Sequence, residues 1–546
     1  MLPSCFRRPA SARTYDRVMA RGGRAAGAGL AAAVLGIGAG ELAAGLLAPA
    51  SSPVAAVGDG LIDAAPAWAK DAAIAIFGTS DKLALILAIG VVLLAAGALL
   101  GLLEARRPPW GRVVVAVVGI AGIAFAATRP DAGMLGWLPA TIATAVAVLA
   151  LGLLVRRIPA DLPDGAPGTP GATGAAPEVA ATGAAPAEAA GVDRRRFLLW
   201  SAGAAAVGVL ALVGGSVLRA GSTAVSAVRQ ALRLPAPAVP APPIPAGAQV
   251  DVPGMTPVIT PNRDFYRIDT ALIVPSVDPA DWRLRIHGLV EDELTLTWDE
   301  LLALPLEESV TTLMCVSNEV GGDLIGNAVW LGYPVRHLLA RVGVSTDADM
   351  VLSRSVDGFT ASTPLEALTD DRNAILAVGM NGEPLPQEHG FPVRMVVPGL
   401  YGYVSATKWI TDLEVTRYAD ASAYWTDRGW AERGPVKLSS RIDVPRRGQS
   451  VSAGDTVLAG VAWQQHVGVS GVEVQVDDGP WQPARLAPAV SDDTWVQWSL
   501  PWSATAGDHR VRCRAISATG EVQTGTRRGT VPDGATGWDE RSIAVS

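Results

Sequence analysis

Residues 310–339 read VTTLMCVSNEVGGDLIGNAVWLGYPVRHLL. An apolar, β-branched run ends at Cys315, and Ser317, Asn318, Gly321 and Gly322 follow it. This pattern predicts a strand that delivers one cysteine into a glycine-bearing loop, where a bulky group can come close to the backbone. Thiolate is a soft ligand suited to a heavy transition metal. A lone cysteine is more often an inert core thiol, so the residues by themselves leave both readings open.

Outward from this segment, WRLRIHGLV (282–290) and ELTLTW (293–298) alternate like strands, while WDELLAL (298–304) and PVRHLLARVGV (334–344) have the spacing of short helices. Residues 258–435 therefore read as an α+β domain. From about residue 440 the pattern is purely β: TVLAGVAWQ, GVEVQVDDGPW, TWVQWSLPW and HRVRCRAISATG follow one another with Gly/Asp turns between them. Residues 436–546 thus read as an all-β, immunoglobulin-like sandwich of about 100 residues. Cys513, in one of its strands, reads as a buried thiol.

The N-terminal part differs in composition. Ala, Gly and Leu crowd the first 220 residues, and five apolar stretches stand out: Ala25–Ala48, Leu83–Leu103, Val113–Ala127, Met134–Val155 and Phe197–Leu218. A bilayer needs about 20 apolar residues per helix, so an all-α membrane region of about five transmembrane helices is expected. Four lie in residues 1–158 and a fifth in 193–220. Arginines before the first stretch, Arg106, Arg107 and Arg112, and then Arg156 and Arg157 alternate with acidic Asp59, Asp63, Asp71 and Asp81. By the positive-inside rule the N-terminus is cytoplasmic and everything after Arg219 is extracytoplasmic. The fifth stretch opens DRRRFLLW; Arg194, Arg195, Phe197 and Leu198 also fit a twin-arginine export pattern. Glu41, the one acid assigned to a span, is expected to reach the interface. Residues 159–192 read as a disordered Ala/Pro/Gly linker and 221–257 as a Pro-rich stalk, extended and semi-rigid.

Composition excludes several classes. A net charge of −8 gives no footprint for nucleic acid. Three cysteines without a CxxC pair make a zinc ribbon, an iron–sulfur cluster or a covalent c-type haem a poor fit. All five histidines (His287, His337, His389, His466 and His509) fall outside the apolar stretches, which argues against a bis-histidine haem in the bilayer. No haem is expected.

Together with NRDFYRIDT (262–270) and NGEPLPQEHGFPVRMVVPGLYGYVSATKW (381–409), the opening segment resembles the sulfite oxidase family of molybdopterin enzymes. The resemblance extends over about residues 258–546, and GVEVQVDDGPWQ is similar to that family's dimerisation domain, which implies a possible homodimer. It implies one molybdopterin, with Cys315 as the protein ligand to molybdenum. It places Tyr266 and Arg267 in the loop that wraps the pterin and Ser355 on the cofactor. His389 and Arg394 would hold the pterin and its phosphate, and Ser405 and Lys408 would complete the phosphate site. Buried phosphate needs such charge-assisted donors. Arg267 and Arg428 are the candidates for an anion-binding substrate pocket.

The implied chemistry is two-electron oxygen-atom transfer on a small molecule, sulfite-like oxidation foremost, with electrons passed to an external cytochrome. The pattern also departs from the family. Animal sulfite oxidases carry two arginines after the asparagine that follows the metal cysteine; here Glu319 and Val320 stand there. The expected tyrosine in AYWTDRGWA (423–431) has competitors in Tyr424, Trp425, Arg428 and Trp430. A sulfoxide or N-oxide reductase fed by membrane carriers is the alternative, and a non-enzymatic membrane protein on a degenerate scaffold is the third reading.

Overall fold

The Ala/Gly/Leu-rich stretches form long helices, as their length and apolar character dictate. The computed structural model describes residues 10–48, 51–64, 81–129, 134–158, 186–220 and 223–546. The chain divides into two compact units, one comprising Met1–Ala64 with Ala73–Ser222 and the other Ala65–Ala72 with Thr223–Ser546.

The first unit contains helices α1 (Ala10–Leu47), α2 (Pro53–Ala64), α3 (Asp81–Arg106), α4 (Trp110–Ala127), α5 (Leu138–Arg156) and α6 (Pro186–Ala220). Helix α1 packs against α3, α5 and α6. Paired small residues permit this: a Cβ at Gly38 would collide with the Gly208 carbonyl, and one at Gly208 would stand 2.5 Å from Val34 O. Arg21–Leu47, Ala84–Arg106, Trp110–Ala127, Leu138–Arg156 and Arg195–Leu218 are long and apolar enough to cross a membrane. Val91, Val92 and Leu99 on α3 and Leu210 and Val217 on α6 are exposed.

Three details depart from the sequence reading. Helix α2 lies within what reads as a loop. Its start is satisfied by Glu41, which is buried and accepts hydrogen bonds from Ser52 Oγ at 2.7 Å and the Val54 N–H at 3.0 Å. A carboxylate at a helix start meets unpaired N–H groups, so Glu41 turns inward rather than to the interface. A second acid, Glu104, is also buried within a candidate span and pairs with Arg112 at 2.7 Å. Helix α6 begins at Pro186, so the end of the expected linker is helical; residues 159–185 of that linker lie outside the described residues.

The second unit opens with α7 (Thr223–Ala231), whose Arg229 donates to Leu385 O and Pro384 O, both at 2.7 Å. The start of the expected stalk is thus the helix α7; from Leu232 on the Pro-rich segment is extended, as proline demands, but it lies along the domain and is not a free stalk. Ala238 N–H donates to Leu306 O, Glu308 N–H to Val239 O, and Val250 N–H to Gln497 Oε1 at 2.6 Å. Proline removes donors, yet the alternating non-proline residues keep theirs and spend them on the domain surface.

Two five-stranded sheets follow. Strands β1 (Arg283–Gly288), β2 (Leu294–Thr297), β5 (Met350–Ser355), β6 (Thr360–Pro364) and β10 (Ile410–Thr416) form one, in the order β2-β1-β10-β5-β6, with β1 and β10 parallel. Strands β3 (Glu307–Met314), β4 (Ile325–Pro334), β7 (Ile375–Met380) and β8 (Glu383–Pro384) run in that order in the other, and β9 (Arg394–Val396) pairs with β7. Short helices such as Trp298–Leu302, started by a Thr297/Glu300 capping box worth about 1 kcal/mol, connect them. Buried Trp282, Trp298, Leu338, Val378 and Leu413 share the main core.

The last part forms two antiparallel four-stranded sheets. One is β11 (Ser439–Val444), β12 (Gly454–Trp463), β16 (Val496–Ala504) and β15 (Arg485–Leu486). The other is β14 (Gln482–Pro483), β13 (Val469–Val476), β17 (Gly507–Ser517) and β18 (Asp539–Val545). Ile442, Leu458, Val474, Trp498 and Cys513 form their shared core. Cys513 is buried, with Ser440 Oγ donating to its sulfur at 3.3 Å. Val461, Trp463 and Trp495 join the preceding domain's core, so the two parts are fused by packing.

Candidate functional site

Cys315 is the first residue beyond β3, and β4 begins at Ile325, opposite Met314. The loop between them is held at several points. Cys315 N–H donates to Leu324 O at 3.0 Å, Asn318 N–H closes a turn onto Cys315 O at 3.1 Å, and Leu324 N–H donates to Asn318 Oδ1 at 2.8 Å. Arg441, from β11, donates to Gly322 O at 2.9 Å. Gly321, with φ +76°, sits against the Asp539 carboxylate of β18, where a Cβ would not fit. The thiol is buried, and burial pushes its pKa up, while the neighbouring Ser317 and the charge of Lys408 act the other way.

A cluster of cations lies close by. Gly390, with φ +110°, brings two of them together: a Cβ there would lie 3.0 Å from Arg394 Cβ and 3.1 Å from Lys408 Cβ. The buried Arg394 guanidinium reaches only backbone carbonyls, of His389, Ala406 and Met395, at 3.3–3.5 Å, and stacks 5.0 Å from the Trp330 ring. Among the described residues no carboxylate pairs with it. Burial lowers its pKa to about 10. Lys408 is buried as well and donates to Asp269 at 2.7 Å and to Glu388 O at 3.1 Å. Burial lowers it to about 8, against the pull of Asp269. Arg267 donates to the same Asp269 carboxylate at 2.8 Å. Three cations against one carboxylate leave two positive charges.

His389 Nε2 lies 3.0 Å from Asn262 O, which can only accept, so that nitrogen carries the proton. Burial first, then Arg394, hold its pKa down at about 4, so the imidazole is neutral. Tyr266 stacks on Phe265 at 5.2 Å, and Phe265 meets the His389 ring edge-on at 5.6 Å. Burial pushes the Tyr266 phenol far up, with Cys315 and Arg394 both within electrostatic reach.

Residues 271–425 match the family model described as "Oxidoreductase molybdopterin binding domain". The mitochondrial sulfite oxidase of Macaca fascicularis is 31% identical over 317 residues, which is 49% of this chain and 58% of that protein. The chain thus spans little more than half the length of this curated relative. The uncharacterized oxidoreductase YuiH of Bacillus subtilis (strain 168) is 33% identical over 188 residues, 34% of this chain and 91% of that protein. This chain belongs to the sulfite oxidase family of molybdopterin-dependent oxidoreductases. Among solved structures, the sulfane dehydrogenase SoxCD of Paracoccus pantotrophus aligns over 53% of this chain and 83% of its own at 24% identity, with a TM-score of 0.47.

The residues of this sulfite oxidase family member fit a molybdopterin. The two surplus positive charges suit a phosphate dianion. Ser355 Oγ and Asn318 Nδ2 are buried without any hydrogen-bond partner, a costly state for polar atoms unless an added group completes them. Ser405 fits less well as a donor: its hydroxyl gives its proton to Tyr401 O at 2.9 Å, within the turn Gly402–Ser405. Arg428 stacks 3.6 Å over the Tyr424 ring, and Tyr424 begins the series Tyr424, Trp425, Trp430, Tyr403, with neighbouring rings 5.2–6.1 Å apart.

The structure therefore links Cys315, Tyr266, Arg267, His389, Arg394 and Lys408 through contacts or shared charges, while Arg428 belongs with the aromatic series. Sequence reasoning passed over Asp269. Asp269 had a readable signal, an acid two residues after Arg267 inside NRDFYRIDT.

Proposed function

We propose that this chain is a membrane-anchored oxidase of sulfite or a like small oxyanion, with its catalytic unit outside the cytoplasmic membrane and an external cytochrome as electron acceptor. The reading rests foremost on the buried Arg394 guanidinium, which has no carboxylate partner among the described residues and belongs to the cation cluster whose Lys408 acts electrostatically on Cys315. In this reading Cys315 ligates molybdenum. Arg394, Lys408 and Arg267 hold the pterin phosphate, His389 and Tyr266 pack on the pterin, and Ser355 and Asn318 supply donors. The bound group supplies two-electron oxygen-atom transfer. The chain's own work is to orient it, exclude water and match its charge. The arginine-rich flanks of the apolar helices support the sidedness. The two packed sheets after residue 436 support an immunoglobulin-like dimerisation domain.

A second reading, reduction of sulfoxides or N-oxides, is favoured by one observation. Exposed Glu319 and half-buried Val320 follow Asn318, and Tyr424, Trp425 and Trp430 form an aromatic cluster, a composition better suited to a neutral sulfur compound than to an anion. Purified protein is assayed for sulfite-dependent cytochrome reduction. Activity is expected there and is lost, together with molybdenum, in Cys315→Ser. Turnover only with reduced dye and a sulfoxide defeats the oxidase reading.

A further inference from the structure

We propose that Arg229 is a positioning residue for His389: helix α7, which precedes the family domain in the chain, fixes the His389 side chain through Glu383 and Asn262 and so slows the loss of bound molybdopterin. The inference rests on His389 being a contact of the pterin.

Val225, Arg229 and Leu232 stand four and three residues apart, the spacing of one helix side. That side carries two kinds of attachment. Val225 is buried in an apolar cluster with Phe265, Trp330, Leu385 and Phe391, and Leu232 packs against the same cluster. Phe265 of that cluster meets the His389 ring edge-on. Arg229 makes the polar attachment. Its Nε donates to Leu385 O and its Nη2 to Pro384 O, both at 2.7 Å, and Nη2 lies 3.2 Å from Glu383 Oε2. One guanidinium thus holds three successive residues, a task that suits its planar fork of donors.

From Glu383 the contacts run on into the site. Its other carboxylate oxygen accepts from Asn262 Nδ2, which also donates to Met380 O at 3.2 Å, while Asn381 Nδ2 donates to Asn262 Oδ1 at 2.7 Å. An asparagine bonded at both ends of its amide has little freedom, and its backbone carbonyl accepts from His389 Nε2 at 3.0 Å. His389 also ends the turn Gln387–His389, which follows the held segment directly. Arg229 therefore reaches the histidine by two routes, along residues 383–389 and through Asn262. Glu383 is exposed, so its ion pair adds little stability; what the relay supplies is direction.

The test uses full-length holoprotein from a host that makes molybdopterin. The rate of molybdopterin release is followed by the fluorescence of the freed, oxidised pterin. Arg229→Ala is expected to release it about tenfold faster, as the loss of a charge-assisted hydrogen bond would allow. Arg233→Ala, an exposed cation on the same segment, is expected to release it at the wild-type rate. Added to His389→Ala, Arg229→Ala is expected to cause no further acceleration, because the residue through which it acts is gone. A wild-type rate in Arg229→Ala overturns the proposal. So does an equal acceleration in both backgrounds, which would mark Arg229 as a general support of the fold. Where Arg229→Ala does not accumulate, Glu383→Ala cuts the same relay at its exposed member; a faster release supports the proposal and a wild-type rate overturns it. Wild-type protein that carries no molybdopterin at all overturns the cofactor reading itself, a result distinct from an unchanged rate.

Discussion

His389 shows how one buried side chain ties stability to pH. A histidine in the unfolded chain takes up a proton near 6.5, whereas this one resists protonation until about pH 4. Between those values the unfolded chain binds the extra proton and the folded chain does not, so stability falls as pH drops through that window and levels off below it. The shift corresponds to a loss on the order of 3 kcal/mol. His389→Gln keeps an N–H for Asn262 O and cannot charge. Its denaturation midpoint, compared with wild type at pH 7 and pH 4.5, is expected to show a smaller acid loss; equal losses would mean that His389 does not govern that window. The sequence singled out His389, Arg394 and Lys408 because their spacing within HGFPVR and YVSATKW resembles a known pattern. It gave no view of Asp269 as shared counterion, because that pairing joins residues 139 positions apart and depends on the folded path of two loops.

At the scale of elements, the strand pattern was well exposed in the sequence. Alternation in WRLRIHGLV corresponds to β1, and the apolar, β-branched run before Cys315 to the continuously buried β3. Two elements were not legible. Helix α2 has twelve residues, too few to stand out in an apolar neighbourhood, and what satisfies its start comes from Glu41, eleven residues before Ser52. The Pro-rich segment was legible as extended, but its docking depends on Gln497 and the Leu306–Glu308 stretch, far away in sequence. The β3–β4 loop is the element where fold and site meet, because a strand of the terminal sheets braces it. Gly321→Ala forces a methyl group onto the Asp539 carboxylate at a backbone angle that alanine disfavours. We expect a cost of roughly 1–3 kcal/mol in chemical denaturation and a fall in molybdenum content. Wild-type values of both would show that the loop tolerates movement at that point.

At the scale of the whole chain, two units with separate cores should fail separately. Gly208→Leu places a large side chain where the backbones of α1 and α6 touch. It is expected to lower the thermal stability of the helical unit in detergent while leaving molybdenum content per folded protein unchanged; concerted loss of both would show that the units fold as one. That five helices are long and apolar enough to cross a membrane was plain from composition. The helix-to-helix pairing was not plain, because alanine and glycine occur on every face. One consequence concerns β3, the outermost strand of its sheet. The Pro-rich segment meets its first residues through the Val239–Glu307 bridge, and the 491–495 turn covers Thr312. A flanking segment so poor in amide donors cannot itself recruit another strand, so it acts as a selvedge: the weave stops there, and newly made chains are kept from joining edge to edge into aggregates.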